Sequence, residues 1–126
     1  MTEAIEQFFA TLPDRAPQVL HAPLTGTLRI DLADDGRTQH WVLRMRQGAV
    51  DVDQGPVDAD AIWYSSMDLF DRLVTGRAHA LAALFRNEST FSGRVVLFLA
   101  FRQFFPSPPG TRDPREVARE KVRRAR

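Results

Sequence analysis

The chain is 126 residues long, 44% hydrophobic and 26% charged, with a formal net charge of +1. That size and balance predict one soluble globular domain burying about two-thirds of its extended-chain surface. The absence of cysteine excludes a disulfide framework and thiolate chemistry, and the longest apolar run, the seven residues Val95–Phe101, is far short of the ~18 that cross a bilayer.

Taken in order, the chain opens on a predicted helix. Thr2 suits its N-cap, and Glu3 and Glu6 lie at its positive end. Ile5, Phe8, Phe9 and Leu12 fall at helical spacing and define a buried face, and Pro13 is expected to end the element. The same two acids interrupt any apolar leader, so a cytoplasmic location is expected. From Pro13 to Pro23 three prolines carry the chain to the first strand, with Val19 and Leu20 as a small anchor.

Strand patterning follows. Leu28, Ile30 and Leu32 alternate with Thr27, Arg29 and Asp31, which predicts a half-buried strand. Asp34-Asp35-Gly36-Arg37 is a hairpin turn signal. Trp41, Leu43 and Met45 then alternate with His40, Arg44 and Arg46; Gln47-Gly48 turns, and Val50 and Val52 form a short third strand. Arg29, Asp31, Arg44, Arg46, Asp51 and Asp53 on the other face read as cross-strand charge pairs in water. A Gly-Pro turn region, residues 54–60, leads into a fourth strand, Ala61-Ile-Trp-Tyr, of which Ile62 and Tyr64 are taken as inward.

Ser65-Ser66-Met67-Asp68 has the shape of a capping box and predicts a helix through Val74, stopped by Gly76. Ala78–Phe85 reads as a second helix and Ser89–Ser92 as a short fifth strand, with Asn87 turning between them. Phe91–Phe105 holds five of the nine phenylalanines and is apolar almost all round if read as a helix. By pattern alone it is either a strand or a helix. Pro106-Ser-Pro-Pro-Gly110 ends it. Residues 1–109, with ten basic and thirteen acidic side chains, are expected to form the folded domain. Residues 110–126, with seven basic and three acidic, are expected to form a basic tail, either a marginal helix over Arg115–Arg124 or disordered.

Motifs that carry chemistry are weak. Asp51-x-Asp53-x-Gly55 lacks the Gly and Glu positions of a calcium loop, and His21, His40 and His79 share no face. Ser65 or Ser66 with His79 and Asp68 lacks a nucleophile elbow, and there is no phosphate-binding or dinucleotide fingerprint. No metal, no cofactor and no catalysis are therefore expected. The tail offers charge for an anionic membrane but no aromatic residue to stack on bases, so no nucleic-acid partner is expected. What stands out is apolar excess. On pattern it fits an ordinary core, a ligand cavity or a dimer contact.

The order of elements carries a resemblance. Gly26-Thr-Leu-Arg-Ile-Asp-Leu32, Trp41-Val-Leu-Arg-Met-Arg-Gln-Gly-Ala-Val50 and Asp60-Ala-Ile-Trp-Tyr-Ser-Ser-Met-Asp-Leu69 begin it. Thr75, Gly76 and Ala78 through Leu84 continue it, and Ser92-Gly-Arg-Val-Val-Leu-Phe-Leu-Ala-Phe-Arg-Gln-Phe-Phe-Pro106 completes it. In this order and spacing, over roughly residues 5–106, the chain resembles the sterol carrier protein 2-like family of lipid-binding domains.

The resemblance implies an α+β fold of order α-β-β-β-β-α-α-β-α, a five-stranded, mostly antiparallel sheet covered by helices on one face. It also implies an apolar tunnel between sheet and helices, and makes Arg94–Phe105 a helix after the break at Gly93. The implied function is non-enzymatic binding or carriage of a fatty acid, acyl-CoA or sterol- or isoprenoid-like ligand. Candidate lining residues are Trp41, Leu43, Ile62, Tyr64, Phe70, Leu73, Leu84, Phe85, Phe91, Phe98, Phe101, Phe104 and Phe105. Arg77, Arg86 and Arg94 are candidate headgroup contacts. Arg94 stands where the family commonly has an acid or amide, and a cation at a helix start is unfavourable by a few tenths of a kcal/mol. The alternative is a homodimerisation or protein-interaction module using the same aromatics, or an accessory domain to a separate lipid- or quinone-metabolising enzyme.

Overall fold

The computed structural model describes residues 3–20 and 24–106. The predicted cap at Thr2, His21 and the basic tail with its domain boundary lie outside them. The elements are α1 (Glu3–Val19), β1 (Thr25–Asp34), β2 (Arg37–Arg46), β3 (Ala49–Gln54), β4 (Ala61–Ser66), α2 (Met67–Val74), α3 (Ala80–Phe85), β5 (Thr90–Gly93), α4 (Val95–Phe101) and a 3-10 turn, Arg102–Phe104. The chain order is the expected one.

The strands form one sheet in the order β3-β2-β1-β4-β5. All neighbours are antiparallel except β1 and β4, which run parallel and are joined by the β2–β3 excursion. Asp35-Gly36 and Gln47-Gly48, all at positive φ, close the two hairpins, because paired left-handed residues match the twist of the flanking strands. Leu28, Ile30 and Leu32 stand beside Leu43 and Trp41 on one face and beside Ala61, Trp63 and Ser65 on the other strand. That face, with Val50 and Phe91, is covered by α1, α2 and α4 and holds the core.

Several local expectations are corrected. Pro13 does not end α1, which continues through Pro13 and Pro17 to Val19. Both prolines lie on the exposed side, while the buried stripe Ile5, Phe8, Phe9, Leu12 runs on to Ala16. The lost hydrogen bonds therefore fall on the solvent side, where a helix wrapped over a core already lengthens its bonds. The cap of α2 is Ser66, whose Oγ accepts from Leu69 N at 3.0 Å, while Ser65 Oγ donates to the Ser66 carbonyl. α3 starts two residues later than expected, at Ala80, because His79 caps it by accepting from Ala82 N. Asn87, at φ 60, makes the left-handed turn toward β5.

The long apolar helix is also shorter than expected. It ends at Phe101, tightens into the 3-10 turn, and leaves Phe105 extended at φ −80, ψ 141. Arg94 gives no side-chain cap. Its Nη1 instead donates to the Thr25 carbonyl at 2.8 Å, which ties the start of α4 to β1 and supplies a partner for the misplaced cation.

The other face of the sheet is less wet than its pattern suggests. Arg44 pairs diagonally with Asp53 at 3.6 Å, as a solvated cross-strand pair. Asp31, however, is buried, accepting from Arg29 Nε at 3.0 Å and bonded to His40 Nδ1 at 2.7 Å. Arg29 Nη1 also reaches the Val57 carbonyl, which ties the 54–60 loop to this corner, and Val42 on the same face is buried.

Candidate functional site

β4 decides which side chains meet the helices. Its parity follows from the parallel register with β1: Ala61, Trp63 and Ser65 stand beside Leu28, Ile30 and Leu32 on the covered face. Trp63 is completely buried. Ile62 and Tyr64, expected inward, belong to the opposite face with Arg29 and Asp31, and Tyr64 is 47% exposed. Phe85 is corrected too: it leaves the end of α3 at 77% exposure.

Other predicted residues are brought together. Leu43, Phe70, Leu73, Phe98, Phe101 and Phe104 are fully buried, and Trp41, Leu84, Phe91 and Phe105 pack against them half-buried. Phe91 pairs in register with Trp63 and lies 5.3 Å from Phe98. Phe98, Phe101 and Phe105 surround Trp63 at 5.2, 6.1 and 5.9 Å, and Phe70 approaches it at 5.7 Å. Most of these pairs meet edge to face, the arrangement that ring quadrupoles favour.

Two central residues escaped the sequence reading. Phe9 is stacked between Trp41 at 4.1 Å and Phe70 at 5.5 Å. Phe8 stacks on Phe105 at 5.3 Å and meets Phe101 edge-on. Their helical spacing marked them as buried, but only the tertiary path of α1 brings them to the end of α4. Eight of the nine phenylalanines and both tryptophans thus form one connected network on the seam between sheet and helices.

One end of the seam is fastened by Arg15. Its Nη2 donates to the Phe104 carbonyl at 2.7 Å, and its guanidinium lies over the Phe8 and Phe104 rings at 5.7 and 5.6 Å. The hydrogen bond joins α1 to the 3-10 turn, and the cation–π contacts hold the same two segments together. Of the candidate headgroup arginines, Arg77 is paired with Asp71 at 2.7 Å and donates to Thr75 Oγ1, and Arg94 is engaged on Thr25. Arg86 sits exposed at the C-cap of α3.

Chemically the seam can bury apolar matter. Among the described residues, the buried polar side chains are Asp31, which lies on the opposite face, Ser65 and Ser89. Ser65 is occupied with the Ser66 carbonyl at the end of β4, and no group of His, Cys, Asp or Glu converges as a metal site among the described residues. No helix among them is long and apolar enough to cross a membrane.

Comparison with known proteins agrees with this geometry. The family model described as the SCP-2 sterol transfer family matches residues 5–106. No curated protein matches the sequence. Among solved structures, the palmitated SCP2L2 of Aedes aegypti superposes with a TM-score of 0.68 at 16% identity, covering 82% of this chain and 91% of that one. Sterol Carrier Protein-2 of Aedes aegypti in complex with palmitate gives 0.65 at 17% identity, covering 82% and 96%. The apo form of Sterol Carrier Protein 2 from Yarrowia lipolytica gives 0.58 at 25% identity, covering 73% and 88%.

Proposed function

The chain belongs to the SCP-2 sterol transfer family, and from that footing we propose that it binds and carries an apolar, lipid-like ligand between its sheet and helices, without covalent chemistry. The observation that carries this reading is the aromatic seam. Nearly every large aromatic of the chain is spent there, and one wall of it is only a seven-residue helix and a 3-10 turn. Short elements at the end of the described fold can shift by small amounts, which would open a tunnel where rings now touch. Palmitate bound by two similar proteins supports the ligand class.

The binding energy would come from burial. Removing ~300 Å² of ligand surface from water contributes roughly 7 kcal/mol, close to the ~8 kcal/mol of micromolar affinity, so ordering costs must be small. Only the short α4 and the 3-10 turn would have to move, which keeps them small. Phe70, Leu73, Phe98 and Phe101 would line the ligand, with Phe104 and Phe105 near an entrance fastened by Arg15. Native mass spectrometry of freshly purified protein, before and after solvent extraction, tests the reading. A co-purifying lipid, or displacement of a fluorescent fatty-acyl probe from the extracted protein, is the expected result. Failure of both would end it.

A second reading rests on a different surface. Val95, Val96 and Leu99 of α4 are 56%, 44% and 39% exposed, an apolar strip facing outward. A homodimer or partner contact would use this strip rather than Phe101, which is fully buried. Sedimentation of Leu99→Asp against wild type discriminates: a dimer that splits supports the contact, and a monomer in both cases removes it. Contact of the basic residues 110–126 with an anionic membrane stands as a further proposal, tested by vesicle binding with and without that segment.

A further inference from the structure

On the reading that the seam takes an apolar ligand, we infer that this ligand is an uncharged lipid bearing a carbonyl or hydroxyl oxygen, and that the indole N–H of Trp63 receives that oxygen.

Trp63 is completely buried, and its Nε1 has no hydrogen-bond partner. Trp41 shows the usual arrangement by contrast, its Nε1 donating to Gln39 Oε1 at 3.2 Å. A buried indole N–H normally finds an acceptor, because leaving the donor unpaired forfeits the water it gave up. Around Trp63 stand the rings of Phe70, Phe98, Phe101 and Phe105, all within 6.1 Å, and ring faces are weak acceptors at best. A phenylalanine would fill this position with no unpaired donor. Arg72 Nε ion-pairs with Asp68 at 3.3 Å, and Arg102, whose Nε has no hydrogen-bond partner, is only half-buried and carries further N–H groups. Ser89 Oγ, buried just before β5, is a donor and an acceptor alike and selects nothing.

The missing acceptor is therefore assigned to the ligand. Its charge follows from the surroundings. Among the described residues no fully buried side chain is cationic, and the half-buried Arg15 is engaged on Phe8 and Phe104 at the end of the seam; beside Trp63, one neutral N–H does not compensate a carboxylate stripped of water. A ketone, ester or hydroxyl oxygen accepts one such bond at little desolvation cost. A pure hydrocarbon leaves the donor as it is. A fatty acid would have to keep its carboxylate away from Trp63, at the exposed end of the seam.

The test compares methyl palmitate with n-heptadecane, both delivered to the full chain from the same cyclodextrin carrier. In a ¹⁵N-labelled protein the Trp63 indole resonance, identified by its loss in Trp63→Phe, is expected to move downfield with the ester and little with the alkane. The ester-to-alkane affinity ratio is expected to fall about fivefold in Trp63→Phe, the size of one ordinary hydrogen bond. Equal indole shifts with both ligands, or an unchanged affinity ratio, would show that the N–H only faces rings and would overturn the inference while leaving the carrier reading intact. If neither ligand nor a fluorescent acyl probe binds the wild type, the carrier reading falls and this inference with it.

Discussion

At Gly93 and Gly26 an added methyl group is felt for different reasons. Gly93 sits at φ +96, and a Cβ there would run into the Asp60 carbonyl oxygen and lie 2.7 Å from Ala61 Cα. Both obstacles are backbone of β4 or its approach, and the same Asp60 carbonyl accepts from Arg94 N. Gly93→Ala is therefore expected to cost about 2–4 kcal/mol, read as a lower urea midpoint at unchanged slope. At Gly26 a Cβ would meet Leu97 Cδ2 and Arg94 Nη1 at 2.9 Å, both ends of side chains that can turn aside. Gly26→Ala should cost about 1–2 kcal/mol. A reversed order would mean that α4 sits on β1 more rigidly than β5 sits on β4. Tyr64, next to Trp63 but on the opposite face, against Phe98, which packs on Trp63, gives a second contrast: Tyr64→Ser should leave acyl-probe affinity within about twofold, whereas Phe98→Ala should weaken it tenfold or more. The parity behind that contrast was not legible in the chain. Ala61-Ile-Trp-Tyr is apolar throughout, so alternation has no sign there, and only pairing with Leu28, Ile30 and Leu32 supplies one.

Elements with an unambiguous period were legible almost residue by residue. β1 and β2 alternate cleanly between apolar and polar, and their turns carry the left-handed residues that two-residue hairpins need. α1 and α4 were less so, because their ends depend on neighbours. α1 survives Pro13 since its buried stripe runs on to Ala16, and beyond Pro17 the buried Leu20 still bonds back to the Ala16 carbonyl. α4 stops at Phe101 although its composition continues, and the chain tightens into the 3-10 turn that Arg15 holds. That fastening can be tested at the level of the two elements it joins. Arg15→Ala removes the hydrogen bond to Phe104 O and both cation–π contacts, together worth about 1–2 kcal/mol. The expected result is hydrogen exchange several-fold faster in peptides spanning 98–106, with β1 and β2 unchanged, and faster release of a bound acyl probe. Exchange that rises equally across the whole chain would mean that Arg15 supports global stability and is no fastening of this end. Arg15→Lys, which keeps the charge but loses the planar fork, should fall between wild type and Ala.

At the scale of the molecule, the aromatic seam has to serve two demands that pull apart. As a core it should be filled, and in this fold Phe98, Phe101 and Phe104 are fully buried with rings in contact. As a carrier it should part for a ligand. Large aromatic rings reconcile the two, since each presents much area on few torsions and can re-pack edge to face with small movements. The consequence is measurable as linkage. Without ligand, Phe101→Ala should lose about 3–5 kcal/mol, the usual cost of deleting a buried ring and leaving a void. Saturation with ligand at a hundred times Kd should stabilise the wild type by about 2.7 kcal/mol, because only the folded state binds. If Phe101 lines the ligand, Phe101→Ala removes ring contacts with it, as Phe98→Ala does. The variant should then gain less on adding the same excess of methyl palmitate than the wild type gains, widening the gap between them in urea unfolding. If Phe101 is core alone, the gap stays the same with and without lipid, because a ligand bound elsewhere loses no contact with a ring it does not touch.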